Sequence, residues 1–172
     1  ATLRAEARDA VERRDWPAAL QRFQRLVERH GDDVDLLIES ARVHGFADRN
    51  AEAAALYRRA LALAPQRRGD IVPSLAWQTL WGGAANEAVA LFDELAASAQ
   101  GPARAEALDG LGQARQAAGD QAGALRAFRE AHALTPSAPR LHRRLAMSML
   151  WNGDEAGAIR ELSALVAAAP GE

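Results

Sequence analysis

Residues 105–138 read AEALDGLGQARQAAGDQAGALRAFREAHALTPSA, and this stretch predicts two helices joined by a short bend. Large and small apolar residues recur at helical spacing in both halves. A glycine separates the halves, and a proline follows the second because it cannot continue a helical hydrogen-bond ladder. The positions that carry the pattern are Leu108, Leu111, Gly112, Gly119, Ala124, Phe128, Ala131 and Pro136.

The same pattern occurs five times along the chain with a period near 34 residues. The small residue of the second helix recurs as Ala19, Ala53, Ala88, Ala124 and Ala158. Four positions later stands a large apolar residue, namely Phe23, Tyr57, Phe92, Phe128 and Leu162. A two-part repeat of this length is typical of stacked helical hairpins.

These residues resemble the tetratricopeptide repeat (TPR) family, whose pattern combines large and small residues on the first helix with a small residue, an aromatic and a closing proline on the second. The resemblance implies an all-α fold, a right-handed α-solenoid of about five helix-turn-helix repeats and ten helices. It covers residues 1–172 as a single array, with repeats near 1–33, 34–68, 69–104, 105–138 and 139–172.

The repeat register, together with the glycine, aspartate and proline residues at the helix ends, predicts the helix spans. They are 2–14, 16–29, 34–47, 50–64, 71–82, 85–98, 103–118, 121–134, 138–152 and 155–168. Asp120 and Asp154 follow glycines and are predicted N-caps. The longest irregular link is expected at Gln66–Asp70, ahead of Pro73.

The last predicted helix still carries apolar residues, and only Pro170, Gly171 and Glu172 come after the final repeat pattern. Solenoids normally end in a polar capping element. We therefore expect the sequence to be a fragment of a longer protein; closure of the end by dimerisation is the alternative.

Composition excludes several classes of function. The net charge is −2, which does not favour a nucleic-acid partner. All 21 basic residues are arginine, and with the high alanine content this indicates a bacterial, GC-rich source. The chain has no cysteine, so disulfides and thiolate metal sites are excluded, and no apolar run is long enough to span a membrane.

In the TPR family the first helix of each repeat lines the concave face, so the resemblance implies a partner-binding groove here. Trp77 and Trp81 are four residues apart and should stack on one helix face. Trp and Arg dominate binding hot spots, although packing of these tryptophans into the core is the alternative interpretation. The predicted groove residues are Arg8, Arg42, Phe46, Trp77, Trp81, Asp109, Gln113, Arg143, Met147 and Trp151.

Catalytic and metal-binding motifs are missing from the sequence. The histidines His30, His44, His132 and His142 lie in different repeats without ligand spacing, and His30 and His132 are expected to be solvated at helix ends. No serine lies in a G-x-S-x-G turn, and Gly110-Leu111-Gly112 falls within a predicted helix. We therefore predict no enzyme activity, no metal site and no cofactor.

Three functions fit these observations. The first is an interaction scaffold that binds a protein or peptide segment in the groove, as a monomer or weak dimer. The second rests on Leu80-Trp81 before Gly83 and Leu150-Trp151 before Gly153, which resemble the periplasmic TPR regions of bacterial outer-membrane exopolysaccharide exporters. Such a region, of the cellulose or poly-N-acetylglucosamine type, would contact glycan or a glycan-modifying enzyme, and it favours a periplasmic location. The third is a structural spacer, which predicts buried tryptophans.

Overall fold

A computed structural model describes residues 2–168, and these residues form ten α-helices and one 3₁₀ turn. The chain divides into two compact units. Unit 1 ends at Ala84 and unit 2 begins at Ala85. None of the helices in residues 2–168 combines the length and hydropathy of a bilayer span.

Unit 1 contains five helices that pack in chain order, each on the next. Ala7, Ala10 and Ala19 are fully buried where helices approach closely, and the rings of Phe23 and Tyr57 fill the space between them. The helices are α1 (Leu3–Glu12), α2 (Trp16–Arg29), α3 (Val34–Phe46), α4 (Asn50–Leu63) and α5 (Arg68–Trp81).

Unit 2 repeats this arrangement, and α7 packs against both of its neighbours in the chain. Phe92 and Phe128 are buried on either side of α7, facing Gly110 and Gly112. The last three helices share a hydrophobic cluster that includes Leu125, Leu145 and Ala158. The helices are α6 (Ala85–Ser98), α7 (Gly101–Ala117), α8 (Gln121–Leu134), α9 (Pro139–Trp151) and α10 (Glu155–Ala168).

The bends confirm the predicted register of the repeats. A residue with positive φ occupies equivalent positions in all five: Arg14, Asp48, Gly83, Gly119 and Gly153. In each bend the following amide donates to a carbonyl five residues back, as Asp120 N does to Arg115 O at 2.8 Å. This bond closes the helix end in a Schellman-type geometry that needs a left-handed residue.

The predicted N-caps are confirmed. Asp120 Oδ1 accepts from Gly123 N at 2.8 Å, and Asp154 Oδ1 accepts from Gly157 N at 2.9 Å. Each carboxylate satisfies an amide that has no partner within the helix. Pro170, the predicted terminator of the last helix, lies outside the described residues.

The predicted irregular link at Gln66–Asp70 is wrong. Residues Pro65–Arg67 form a 3₁₀ turn that leads directly into α5, and Pro73 stands inside the helix. Pro73 has no N–H for the carbonyl of Gly69, but both residues are exposed, so water can bind that carbonyl.

Candidate partner-binding surfaces

Unit 1 has a cavity of about 280 Å³ between α1, α2 and α3. Arg8, Arg42 and Phe46, all predicted groove residues, line it. The Arg8 guanidinium pairs with the Glu39 carboxylate, whereas Arg42 has no ion-pair partner among residues 2–168. Phe46 is 62% exposed, and its ring lies 5.8 Å from that of Trp16. This unit 1 pocket therefore combines an exposed aromatic with an unpaired cation.

The two tryptophans of α5 stack as predicted. The ring centroids of Trp77 and Trp81 are 5.3 Å apart and the planes are inclined by 28°. Trp77 is partly buried, whereas Trp81 is 58% exposed. The pair therefore presents one open indole face supported by a second indole.

Unit 2 has a second cavity of about 280 Å³, formed by α7, α8 and α9. The buried ring of Phe128 lies at its base. Its exposed rim includes the predicted residues Arg143, Met147 and Trp151, and the Trp151 side chain is 58% exposed. Arg143 has no ion-pair partner in the described part of the chain, so its charge is available to a ligand. Gln116, Arg140 and Arg144 complete the lining of this unit 2 pocket.

Asp109, a predicted groove residue, is instead completely buried. Its Oδ2 accepts from Arg140 Nη1 at 2.6 Å, and its Oδ1 lies 2.7 Å from Arg144 Nε. Gln113, also predicted to face the groove, is partly buried and donates to the same carboxylate at 3.2 Å. Asp109 therefore cannot touch a partner directly. It holds two arginines of the unit 2 pocket in place.

Burial raises the pKa of Asp109, and the neighbouring Arg144 and Arg140 guanidinium groups oppose this effect. A carboxylate in a low-dielectric environment is costly unless cations and hydrogen-bond donors surround it. Arg140 also donates to Glu106 Oε1 at 2.5 Å, at the more exposed side of the same cluster. The network fixes both guanidinium groups at the edge of the cavity.

Two of the histidines, although they lie in different repeats, are brought together by the packing of the helices. His132 and His142 meet edge to face with ring centroids 4.0 Å apart, and both lie close to Glu161. His132 is only 18% exposed at its side chain, so it does not simply solvate a helix end. Sequence spacing contained no sign of this cluster because its members come from three different helices.

The comparisons with known proteins agree with this architecture. The family model described as "Tetratricopeptide repeat" matches residues 115–172. MamA from Desulfovibrio magneticus RS-1 superposes with a TM-score of 0.81 at 18% identity, covering 95% of this chain and 91% of that structure. The fold is that of the TPR solenoids. The predicted all-α fold class is thus confirmed.

A second solved structure supports the same assignment. This structure is described as "Podosopora anserina putative kinesin light chain nearly identical TPR-like repeats". It superposes with a TM-score of 0.76 at 21% identity, covering 96% of this chain and 93% of that one. No curated protein sequence shows significant similarity to the chain. At these identities the structures inform the fold alone, and the resemblance to exopolysaccharide exporters stays a prediction.

Proposed function

We propose that this protein is a non-enzymatic interaction scaffold, and that the unit 2 pocket binds a protein segment carrying a carboxylate next to an apolar side chain. One observation carries the proposal: Trp151, Met147 and the unpaired Arg143 stand exposed around a single cavity. Exposed apolar side chains that line a concave surface are typical of binding sites.

The chemistry of the pocket favours this kind of ligand. Arginine binds carboxylates through two parallel hydrogen bonds, and tryptophan and arginine are the residues that dominate interface energies. Arg140 and Arg144 are already held by Asp109, so they lose less freedom when a ligand binds. Exposure of Trp81 and Trp151 also argues against a structural spacer, which predicts buried tryptophans.

Peptide selection tests the proposal even though the partner is unidentified. A displayed random peptide library is selected on the immobilised protein, and the selected peptides are measured in solution by fluorescence polarisation. We expect enrichment of Asp or Glu next to aromatic or aliphatic residues. Trp151→Ala and Arg143→Ala should each weaken binding at least tenfold, which corresponds to about 1.4 kcal/mol or more.

Ile159→Ala serves as the matched control, because Ile159 is an exposed apolar residue of the same unit outside the pocket. It should leave the affinity unchanged. Selection of peptides without acidic residues, or equal affinities for all three variants, would contradict the proposed site.

The stacked Trp77–Trp81 pair favours a second candidate, contact with glycan in a periplasmic exopolysaccharide exporter region. The open face of Trp81 is a flat apolar platform of the kind on which sugar rings stack. This candidate uses unit 1 only and is independent of the unit 2 pocket.

Calorimetric titration with cellulose-derived and N-acetylglucosamine oligosaccharides tests the glycan candidate. We expect saturable binding to the intact protein that is lost in Trp81→Ala and retained in Trp151→Ala, because only the first variant removes the platform. Absence of heat with both sugars at millimolar concentration, or equal binding by the Trp81→Ala variant, would rule out this candidate.

A further inference from the structure

We propose that His132, His142 and Glu161 form a Zn²⁺-binding site that joins α8, α9 and α10 in unit 2. Glu161 Oε2 lies 3.9 Å from His132 Nε2 and 3.9 Å from His142 Nδ1. All three ligand atoms fall within 4.8 Å of one another. Two imidazole nitrogens and a carboxylate oxygen are a common ligand set for zinc.

The hydrogen bonds of His142 fix its tautomer in the form that a metal needs. Its Nε2 lies 2.8 Å from the carbonyl oxygen of Pro136, which can only accept, so Nε2 carries the proton. In the neutral ring Nδ1 then has a free lone pair. A ligating histidine usually donates its other N–H to a carbonyl or carboxylate in just this way.

The lone pair of His142 Nδ1 faces a second acceptor. This atom is buried without a hydrogen-bond partner among residues 2–168, and the Glu161 carboxylate lies 3.9 Å away. With no proton or cation between them, these two hydrogen-bond acceptors leave each other unsatisfied. A bound Zn²⁺ would satisfy both, together with Nε2 of His132.

His132 is suited to the same role. Burial lowers its pKa, the neighbouring His142 lowers it further, and Glu161 opposes both effects. The first two effects favour the neutral ring, which is the form that binds a metal. Metal binding through Nε2 places the ring proton on Nδ1, which is buried and has no hydrogen-bond partner among the residues that the structure describes.

Zinc binding requires the three ligand atoms to move closer together. Zinc binds nitrogen and oxygen at about 2.0–2.2 Å, so tetrahedral ligand atoms stand roughly 3.4 Å apart. The two 3.9 Å separations would each shorten by about half an ångström. Glu161 can supply this movement because its side chain is flexible and 28% exposed. The two imidazole nitrogens, which lie within 4.8 Å of each other, must also approach to about the same separation. The fourth position would hold water.

Zinc binding would have a structural consequence for α10. Over its described length, Glu155–Ala168, this helix buries only Gly157 and Ala158, whereas α9 buries five residues. Glu161 lies one turn beyond this buried pair, so a metal bond there would attach the middle of the helix to α8 and α9. Because the ion binds the folded state, it should raise the melting temperature.

Isothermal titration of metal-free, tag-free protein with ZnCl₂ tests the proposal. We expect one ion per chain with a dissociation constant in the micromolar range or tighter, and a rise of several degrees in the melting temperature. Glu161→Gln should weaken binding at least tenfold, and His142→Gln should abolish it. His30→Gln is the matched control because His30 is exposed in unit 1, and it should bind zinc like the original protein.

Direct observation of the imidazole rings keeps the test independent of variant stability. In two-dimensional ¹H–¹⁵N spectra of the intact protein, ZnCl₂ should shift the ring signals of His132 and His142 and leave those of His30 and His44 in place. Absence of binding at millimolar zinc, or equal shifts at all four histidines, would overturn the proposal. So would unchanged affinity in folded Glu161→Gln protein.

Discussion

Replacing Gly112 with alanine is expected to lower the free energy of unfolding by about 2–3 kcal/mol. A Cβ at this position would lie 2.4 Å from Cε1 of Phe128, whose ring is buried against α7. The loss of stability comes from overpacking, and it exceeds any gain in helix propensity from alanine, which is about 1 kcal/mol. Chemical denaturation measures the change.

A compensating substitution and a control make this prediction specific. Combining Gly112→Ala with Phe128→Leu should recover part of the loss, because the smaller side chain leaves space for the new methyl group. Gly69→Ala should be neutral or slightly stabilising, since its Cβ would meet nothing within 4 Å and its φ is not positive. If Gly112→Ala unfolds like the original protein, α7 and α8 do not pack as closely as the Gly112–Phe128 contact requires.

The sequence was sufficient to predict the helices because each repeat carries its own signals for where a helix ends and the next begins. Gly119 and Asp120 mark one bend by a left-handed residue followed by a capping carboxylate, and both roles depend on local backbone geometry. Local signals were misleading at Gly69 and Pro73, where two helix-breaking residues stand within α5. Their exposure to water, which sequence does not reveal, makes them tolerable there.

The register on the first helices marked the aromatic residues as candidates for the groove, but it left open whether the tryptophans of α5 are exposed or packed. Phe46, Trp81 and Trp151 are all exposed where the pattern placed them on the groove side. Whether they bind a partner stays a prediction. The identity of any partner is not encoded in the register, since the same face can present a surface to peptides or to sugars.

Contacts between neighbouring repeats could not be predicted from one repeat alone. Asp109 looks like a surface residue in its own helix, and only the approach of Arg140 and Arg144 from α9 turns it into a buried anchor. The same limitation applies to His132 and His142, which meet because α9 packs on α8. Side-chain clusters of this kind depend on inter-helix geometry to within an ångström.

Replacing both arginines that pair with Asp109 should lower the free energy of unfolding more than any other substitution of exposed side chains in unit 2. In Arg140→Ala/Arg144→Ala the fully buried carboxylate keeps only the Gln113 amide as a donor among residues 2–168. Leaving a buried charge unpaired costs about 3 kcal/mol or more. We expect a loss of this size in the free energy of unfolding at neutral pH, measured by chemical denaturation.

Adding Asp109→Asn to the double variant separates charge from packing. The amide has nearly the shape of the carboxylate but no charge, so the triple variant should recover at least half of the lost stability. If it recovers nothing, the arginines stabilise unit 2 through their aliphatic stems, which pack along the helices, and not through ion pairs. Arg143→Ala is the matched control, because Arg143 lies on the same helix without a carboxylate partner in the described part of the chain.

The pH dependence gives a second, independent test of the buried charge. Burial already raises the pKa of Asp109 above its ordinary value of 3.8, and loss of the two guanidinium groups removes the opposing effect. A carboxyl group with a raised pKa in the folded state favours folding when protonated, and this contribution is lost as the pH rises through that pKa. The stability deficit of the double variant should therefore shrink as the pH falls from 7 towards about 4. An equal deficit at every pH would show that Asp109 does not carry the charge on which this cluster is built.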